Sequence, residues 1–306
     1  MKGAIKARQS YKYFLQAALL AFLVTSLLAC ASTQTSKLAS ATLLWKIEKQ
    51  NTQTSYLFGT IHSEDKRVLR HFLKNVLPHL RNSKQLLVEV IPDEASIQNA
   101  NQRMFFTNDD RLQNYLSPEL FRTTVEQLKV HGLDKHEINM MKPWAAFTLL
   151  SMPPAETGVF LDIKLMQMAK QENLQMHALE TMSEQIDVFD NMPLKAQVSI
   201  LESTLNLNAG DKQWLDATIN AWLSNDLDRV SIVGEQYFQQ LRNEDALLLR
   251  TSLIDQRNKK MAKNALSHLQ DGNVFIAVGA LHLPGKSGLV QLFRNEGYTL
   301  TPEANQ

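Results

Sequence analysis

The chain has one cysteine in 306 residues, so no disulfide can form within it. Eleven glycines and nine prolines are too few for a fibrous repeat or a disordered chain. Neither sign of charge is in excess, with 32 Lys and Arg against 31 Asp and Glu. No basic stripe interleaved with aromatics occurs either, so nothing favours nucleic acid as a partner. The Gly-x-Ser-x-Gly elbow of serine hydrolases and the His-Glu-x-x-His helix of zinc proteases are both absent. Leu283-Pro284-Gly285-Lys286-Ser287 imitates the end of a phosphate loop. That motif needs a glycine at position 280, where Ala280 stands, so the fingerprint fails. What is there is an ordinary folding composition, 44% hydrophobic, long enough for one large domain or two small ones.

The first thirty residues have a different character. Lys2, Lys6, Arg8 and Lys12 precede a nearly continuous apolar run, Phe14 to Leu28, with no acidic residue. This is the layout of a secretory signal, and the run is shorter than the roughly 20 residues of a membrane span. Leu27-Leu28-Ala29-Cys30 resembles a bacterial lipobox. Residues 1–29 are thus expected to be removed and lipid attached to Cys30. Residues 30–40, rich in Ser, Thr and Ala, read as a tether. The expected location is the cell envelope, on the periplasmic side, with Ala31 after the cysteine pointing to the outer membrane.

The folded part is expected over residues 41–303. Leu43 to Glu48 and Tyr56 to Gly59 read as strands, and Leu69 to Asn82 has helical spacing. Gln85 to Val90 is a short apolar strand. Glu94 to Gly132 is helical in pattern, with Ser117-Pro118-Glu119-Leu120 as a cap and first turn. Lys142-Pro143-Trp144 enters a helix running to Leu150, and Leu161 to Gln171 is another. Leu174 to Leu179 is a strand ending on Glu180. Residues 183–270 carry helical stripes and almost no strand pattern, a helical subdomain inserted before the last strands. Asn273 to Val278 is the last long strand. Strands alternating with helices imply an α/β protein with a central mixed β-sheet flanked by helices.

Two units repeat one design. Tyr56 to Gly59 runs into Gly59-Thr60-Ile61-His62, and Val274 to Gly279 into Gly279-Ala280-Leu281-His282. Each presents an imidazole just past the carboxyl end of a strand, where ligands bind in open α/β sheets. Glu89 lies in an apolar strand, where an ionised carboxylate needs a partner. His62, His282 and Glu89 form a set suited to zinc, manganese or iron, with positions open for water, and such a metal serves hydrolysis. Glu180, at another strand end, is a weaker acid/base candidate. Arg257, with Asn258 beside it, has the chemistry to hold a carboxylate or an oxyanion.

At these residues the chain resembles the TraB/GumN family, which includes PrgY and the Tiki proteins. The likeness spans about residues 41–301. It rests on the two Gly-x-x-His units, Val88-Glu89, Lys142-Pro143-Trp144, Leu179-Glu180-Thr181 and Arg257-Asn258-Lys259-Lys260-Met261-Ala262. Gln256, Leu281 and Phe160 depart from the family's frequent acidic residue and two glycines. The departure at Phe160 leaves Asp162 without an assigned role. The resemblance implies a fold related to erythromycin esterase and the haem-binding ChaN lipoproteins. It also implies a divalent-metal-dependent hydrolase, protease-like as Tiki members are. His62, His282 and Glu89 would hold manganese, cobalt or zinc, and Glu89, Arg257, Asn258 and Glu180 would serve catalysis on a peptide or protein substrate. The alternative is a lipoprotein that binds haem, metal or peptide without turnover.

Overall fold

The computed structural model describes residues 42–153, 156–207 and 212–303. The signal, the lipobox with Cys30 and the tether lie outside the described residues. Among the described residues no helix is long and apolar enough to cross a membrane.

Six strands form one sheet: β1 (Leu44–Glu48), β2 (Ser55–Thr60), β3 (Gln85–Val88), β4 (Gln175–Ala178), β5 (Val274–Gly279) and β6 (Thr299–Pro302), in the order β4-β3-β5-β2-β1-β6. The first four of that order run parallel, and β1 pairs antiparallel with both β2 and β6. The sheet is therefore mixed, with helices around it, as the sequence predicts. Val274 to Val278 is buried at every position, the pattern of a central parallel strand covered on both faces. β6, formed by the residues after Gly297, adds an edge that the sequence pattern does not signal.

Several expected helices change their bounds. Leu69–Asn82 is two helices, Lys66–Asn75 and Leu77–Arg81. Pro78 has no N–H for the carbonyl of Lys74, and its ring disrupts the turn. The pattern over Glu94–Gly132 resolves into Glu94–Arg103, a 3-10 turn at Leu112–Asn114 and Pro118–Leu128. Ser117 caps the last of these through its hydroxyl, which accepts from the Leu120 N–H. Leu161–Gln171 matches its expected span.

Between β4 and β5 the chain forms helices Met182–Asp190, Leu194–Leu207, Lys212–Leu223, Leu227–Phe238, Asn243–Arg250 and Gln256–Asp271. Two devices hold this helical region to the preceding part of the chain. Trp222 donates its indole N–H to the Gly59 carbonyl at 2.9 Å and meets Phe58 edge-on. Second, Lys142 and the Trp144 indole both donate to one oxygen of Asp190, and Arg103 donates to the other. The Lys142-Pro143-Trp144 motif is thus one half of a lock on the helix Met182–Asp190.

At the end of β2 the backbone comes close to the turn after β5. A Cβ on Gly59 would lie 2.9 Å from the Ala280 Cα and 3.1 Å from its Cβ. Gly59→Ala must therefore push the two strand ends apart. It is expected to lower the urea midpoint of unfolding, at a cost of about 1–3 kcal/mol. An unchanged midpoint would show that the strand ends can separate freely.

A candidate active site at four parallel strand ends

The carboxyl ends of β4, β3, β5 and β2 lie side by side, and each is followed by one polar side chain of the predicted set: Glu180, Glu89, His282 and His62. Glu89 is one residue past the end of β3 rather than inside the strand. It still extends the pairing, because its carbonyl accepts from the Glu180 N–H at 2.8 Å. β3 is flanked by β4 and β5, so Glu89 does not sit at a sheet edge. Glu89 is 7% exposed and Glu180 5%. Glu180, the weaker acid/base candidate, is thus as buried as Glu89.

Arg257 sits between the two carboxylates. Its Nε and Nη2 donate to Glu180 at 2.9 and 2.8 Å, and Nη2 also donates to Glu89 Oε2. Gln185 donates to both carboxylates. The remaining Glu89 oxygen, Oε1, accepts from the Gly279 N–H at 2.7 Å. A Cβ on Gly279 would stand 3.4 Å from that oxygen. The two glycines of the twin motif thus do different work: Gly59 lets backbones approach, and Gly279 presents an N–H to a buried carboxylate. Arg257 opens its helix just after a π turn, Thr251–Asp255. A π turn leaves carbonyls off the regular ladder, and Arg257 Nη1 donates to one of them, that of Leu253.

Both imidazoles are held the same way. His282, 3% exposed, shares a 2.6 Å hydrogen bond between its Nδ1 and Asn258 Oδ1. The Asn258 amide is fixed in turn, since Nδ2 donates to the Ser287 carbonyl at 2.8 Å. The proton of His282 therefore lies on Nδ1, and the bare Nε2 faces Glu89 Oε1 at 3.8 Å. The segment that imitates a phosphate loop contributes that carbonyl. His62 Nδ1 meets Asp162 Oδ2 at 2.6 Å, while the Thr60 hydroxyl donates to Asp162 Oδ1. Asp162 thus gains the role that the sequence left open, and its place in the first turn of Leu161–Gln171 suits a carboxylate. Thr60 and Gln185 were not legible as site residues. Thr60 at least lies within Gly-x-x-His, whereas Gln185 carries no motif.

The electrostatics divide the groups. Burial disfavours the Glu89 carboxylate, but Arg257, His282, the Gly279 N–H and His62 outweigh it and hold its pKa at about 2. Burial lowers the pKa of His282 to about 4, against the pull of Glu89. Burial also works against His62, but Asp162 and Glu89 overcome it and the pKa is raised. Burial opposes the Arg257 charge, and Glu89 and Glu180 more than restore it.

Donating Nδ1 to an oxygen acceptor while keeping Nε2 for a ligand is how metal-binding histidines are presented. The site holds three carboxylates, Glu89 and Glu180 on Arg257 and Asp162 on His62, against one guanidinium, and that excess of negative charge attracts a cation. A divalent cation therefore fits the two imidazoles. A preformed His62, His282 and Glu89 set is less well supported. Both oxygens of Glu89 are engaged by protein donors, and among the described residues no three His, Cys, Asp or Glu side chains are grouped as ligands.

Fold and site together define an α/β protein with paired Gly-x-x-His strand ends above a buried carboxylate–guanidinium cluster. The sequence profile of the TraB/PrgY/gumN family matches residues 43–302, and the chain belongs to that family. It is 25% identical over 308 residues to metalloprotease TIKI1 of Danio rerio, covering 83% of this chain and 62% of the relative. It is 24% identical to metalloprotease TIKI2 of Xenopus tropicalis, covering 83% and 58%. With the uncharacterized protein YbaP of Escherichia coli K12 it shares 25% over 246 residues, covering 78% and 87%. The chain thus spans about three fifths of the two metalloproteases. No solved structure matches.

The depressed pKa of Glu89 ties stability to pH. Its contribution is fully present above the ordinary glutamate value of 4.5 and is lost as pH falls toward 2. Wild-type unfolding free energy should drop across that interval, and Glu89→Gln, weaker at neutral pH, should drop less. Parallel acid limbs in denaturant titrations would contradict the ion pair. Arg257→Ala leaves two buried carboxylates uncompensated and is expected to cost about 3–5 kcal/mol.

Proposed function

We propose that the chain is a metal-dependent hydrolase acting on peptide bonds. One observation carries this reading: two imidazoles at neighbouring strand ends, each with Nδ1 fixed by an acceptor, so that Nε2 is left for a cation. The metalloprotease relatives support the same class at family level. His62 and His282 would hold manganese, cobalt or zinc. When bound, such an ion polarises a carbonyl and lowers the pKa of water. Asp162 and Asn258 orient the imidazoles. Glu89, with a pKa of about 2, is too weak a base to be tuned for proton transfer near neutrality. It and Glu180 supply negative charge beneath the site and hold Arg257. Arg257, which donates to protein acceptors, is a positioning residue in this scheme, and Asn258 is another.

We also infer that the fold is akin to erythromycin esterase and ChaN, on the parallel centre of the sheet and its helical cover. The same proposal places the protein in the cell envelope, anchored through lipid on Cys30 at the periplasmic side of the outer membrane. It rests on the basic, apolar and Leu-Leu-Ala-Cys pattern of residues 1–30. Palmitate labelling that survives Cys30→Ala would refute the anchor.

The test of the hydrolase is cleavage of a broad peptide library by the purified chain with manganese, cobalt or zinc, read by mass spectrometry. Metal-dependent cleavage is expected. Asn258→Ala should lower kcat/KM by about 10–100-fold, and His62→Ala and His282→Ala by more. Metal binding lost in both histidine variants, with no peptide cleaved, would favour the non-catalytic binding protein. A haem titration would then decide its ligand, with a shifted Soret band that depends on His62 and His282 marking haem.

A further inference from the structure

A cavity of about 600 Å³ opens beside His62, and Leu281, the neighbour of His282, lines it too. It is lined by the segment Ile61–Lys66 after β2, by Met152, Pro153, Glu156 and Phe160, and by residues of the helices Lys212–Leu223 and Leu227–Phe238. That size and a largely apolar lining are typical of sites that enclose one sizeable organic group. Met152, Phe160, Trp214, Ile219, Val233 and Tyr237 supply the apolar wall. Thr157 and Gly158 are tied to the Ile61–Lys66 segment, since the Gly158 and Thr157 N–H groups and the Thr157 hydroxyl all donate to Glu64.

The charge on this cavity has one sign in excess. Glu64, Asp65, Glu156 and Asp216 line it, with Lys66 as the lining cation. Arg67 compensates part of this by pairing with Asp65 and reaching Asp216 at 4.0 Å. A fatty acid or an acidic peptide would bring more negative charge to these carboxylates, whereas a cationic group beside a large apolar one would relieve it.

We propose that this cavity is the substrate side-chain pocket of the site, and that it takes a bulky apolar or aromatic residue flanked by basic residues in a peptide. The proposal rests on the hydrolase reading for its link to catalysis, but the pocket itself is defined by its own residues. His62 is the point of contact, in the lining of the cavity and at the end of β2. A side chain seated here sets the adjoining peptide bond beside the two imidazoles.

Binding can be read without turnover, because Trp214 lines the pocket. The metal-free full chain is titrated with a capped peptide of phenylalanine between lysines, with its glutamate-flanked counterpart, and with dodecanoate. Tryptophan emission is followed, with Trp214→Phe as the control. The lysine peptide is expected to bind at least about tenfold more tightly than either other probe, a difference of roughly 1.4 kcal/mol. Val233→Trp, which fills the cavity, should weaken it at least about tenfold. Glu156→Lys should reduce the preference over the glutamate peptide while leaving the far-ultraviolet circular dichroism unchanged. Equal binding of the two peptides, tighter binding of dodecanoate, or indifference to both substitutions overturns the pocket assignment. Selective binding without metal-dependent cleavage of any peptide would leave the pocket standing and remove the hydrolase. Cleavage whose sequence preference ignores Val233→Trp and Glu156→Lys would do the reverse.

Discussion

The Arg257 guanidinium is the group on which the site depends. Two glutamates stand at adjacent parallel strand ends, both buried, about one strand spacing apart. Without a cation between them one would have to take up a proton or the strand ends would have to part. Arg257 bonds both and so joins the helix Gln256–Asp271 to β3 and β4. Because Asn258 follows it in the same helix, this one anchor also sets the register of the residue that holds His282.

Each imidazole then has its own support. Asn258 is neutral and holds His282, whose burial keeps it uncharged until well below neutrality. Asp162 is a carboxylate and raises the affinity of His62 for a proton. Equivalent geometry with opposite electrostatic bias makes the pair asymmetric: His62 takes up a proton more readily than His282. Two titratable groups pushed apart by their surroundings are a recurring device of hydrolytic sites.

Much of this was legible in the sequence, and the limits have physical causes. The alternation of strands and helices and the apolar core of β5 announce the mixed sheet. Polar residues at strand ends stand out because a strand of buried residues leaves nothing else to read. Helix bounds shifted where single residues override periodicity, as Pro78 does between Lys66–Asn75 and Leu77–Arg81. The partners of the site residues were the harder part. Asp162 and Gln185 reach the site from other elements, about a hundred residues from their partners in sequence, and spacing along the chain carries no trace of such contacts. Arg257 has the chemistry to hold a carboxylate, and the carboxylates it binds are the protein's own.

The strand order has a consequence for the timing of assembly. β5 is inserted between β3 and β2, although it follows both in sequence by well over a hundred residues. It brings His282, and the helix just before it brings Arg257 and Asn258. A chain emerging from the ribosome therefore carries β2 and β3 with their central neighbour missing and with Glu89 unneutralised. No fragment that stops short of β5 holds the complete site. The site stays incomplete until β5 has been made, and that one strand closes the sheet and completes the site together.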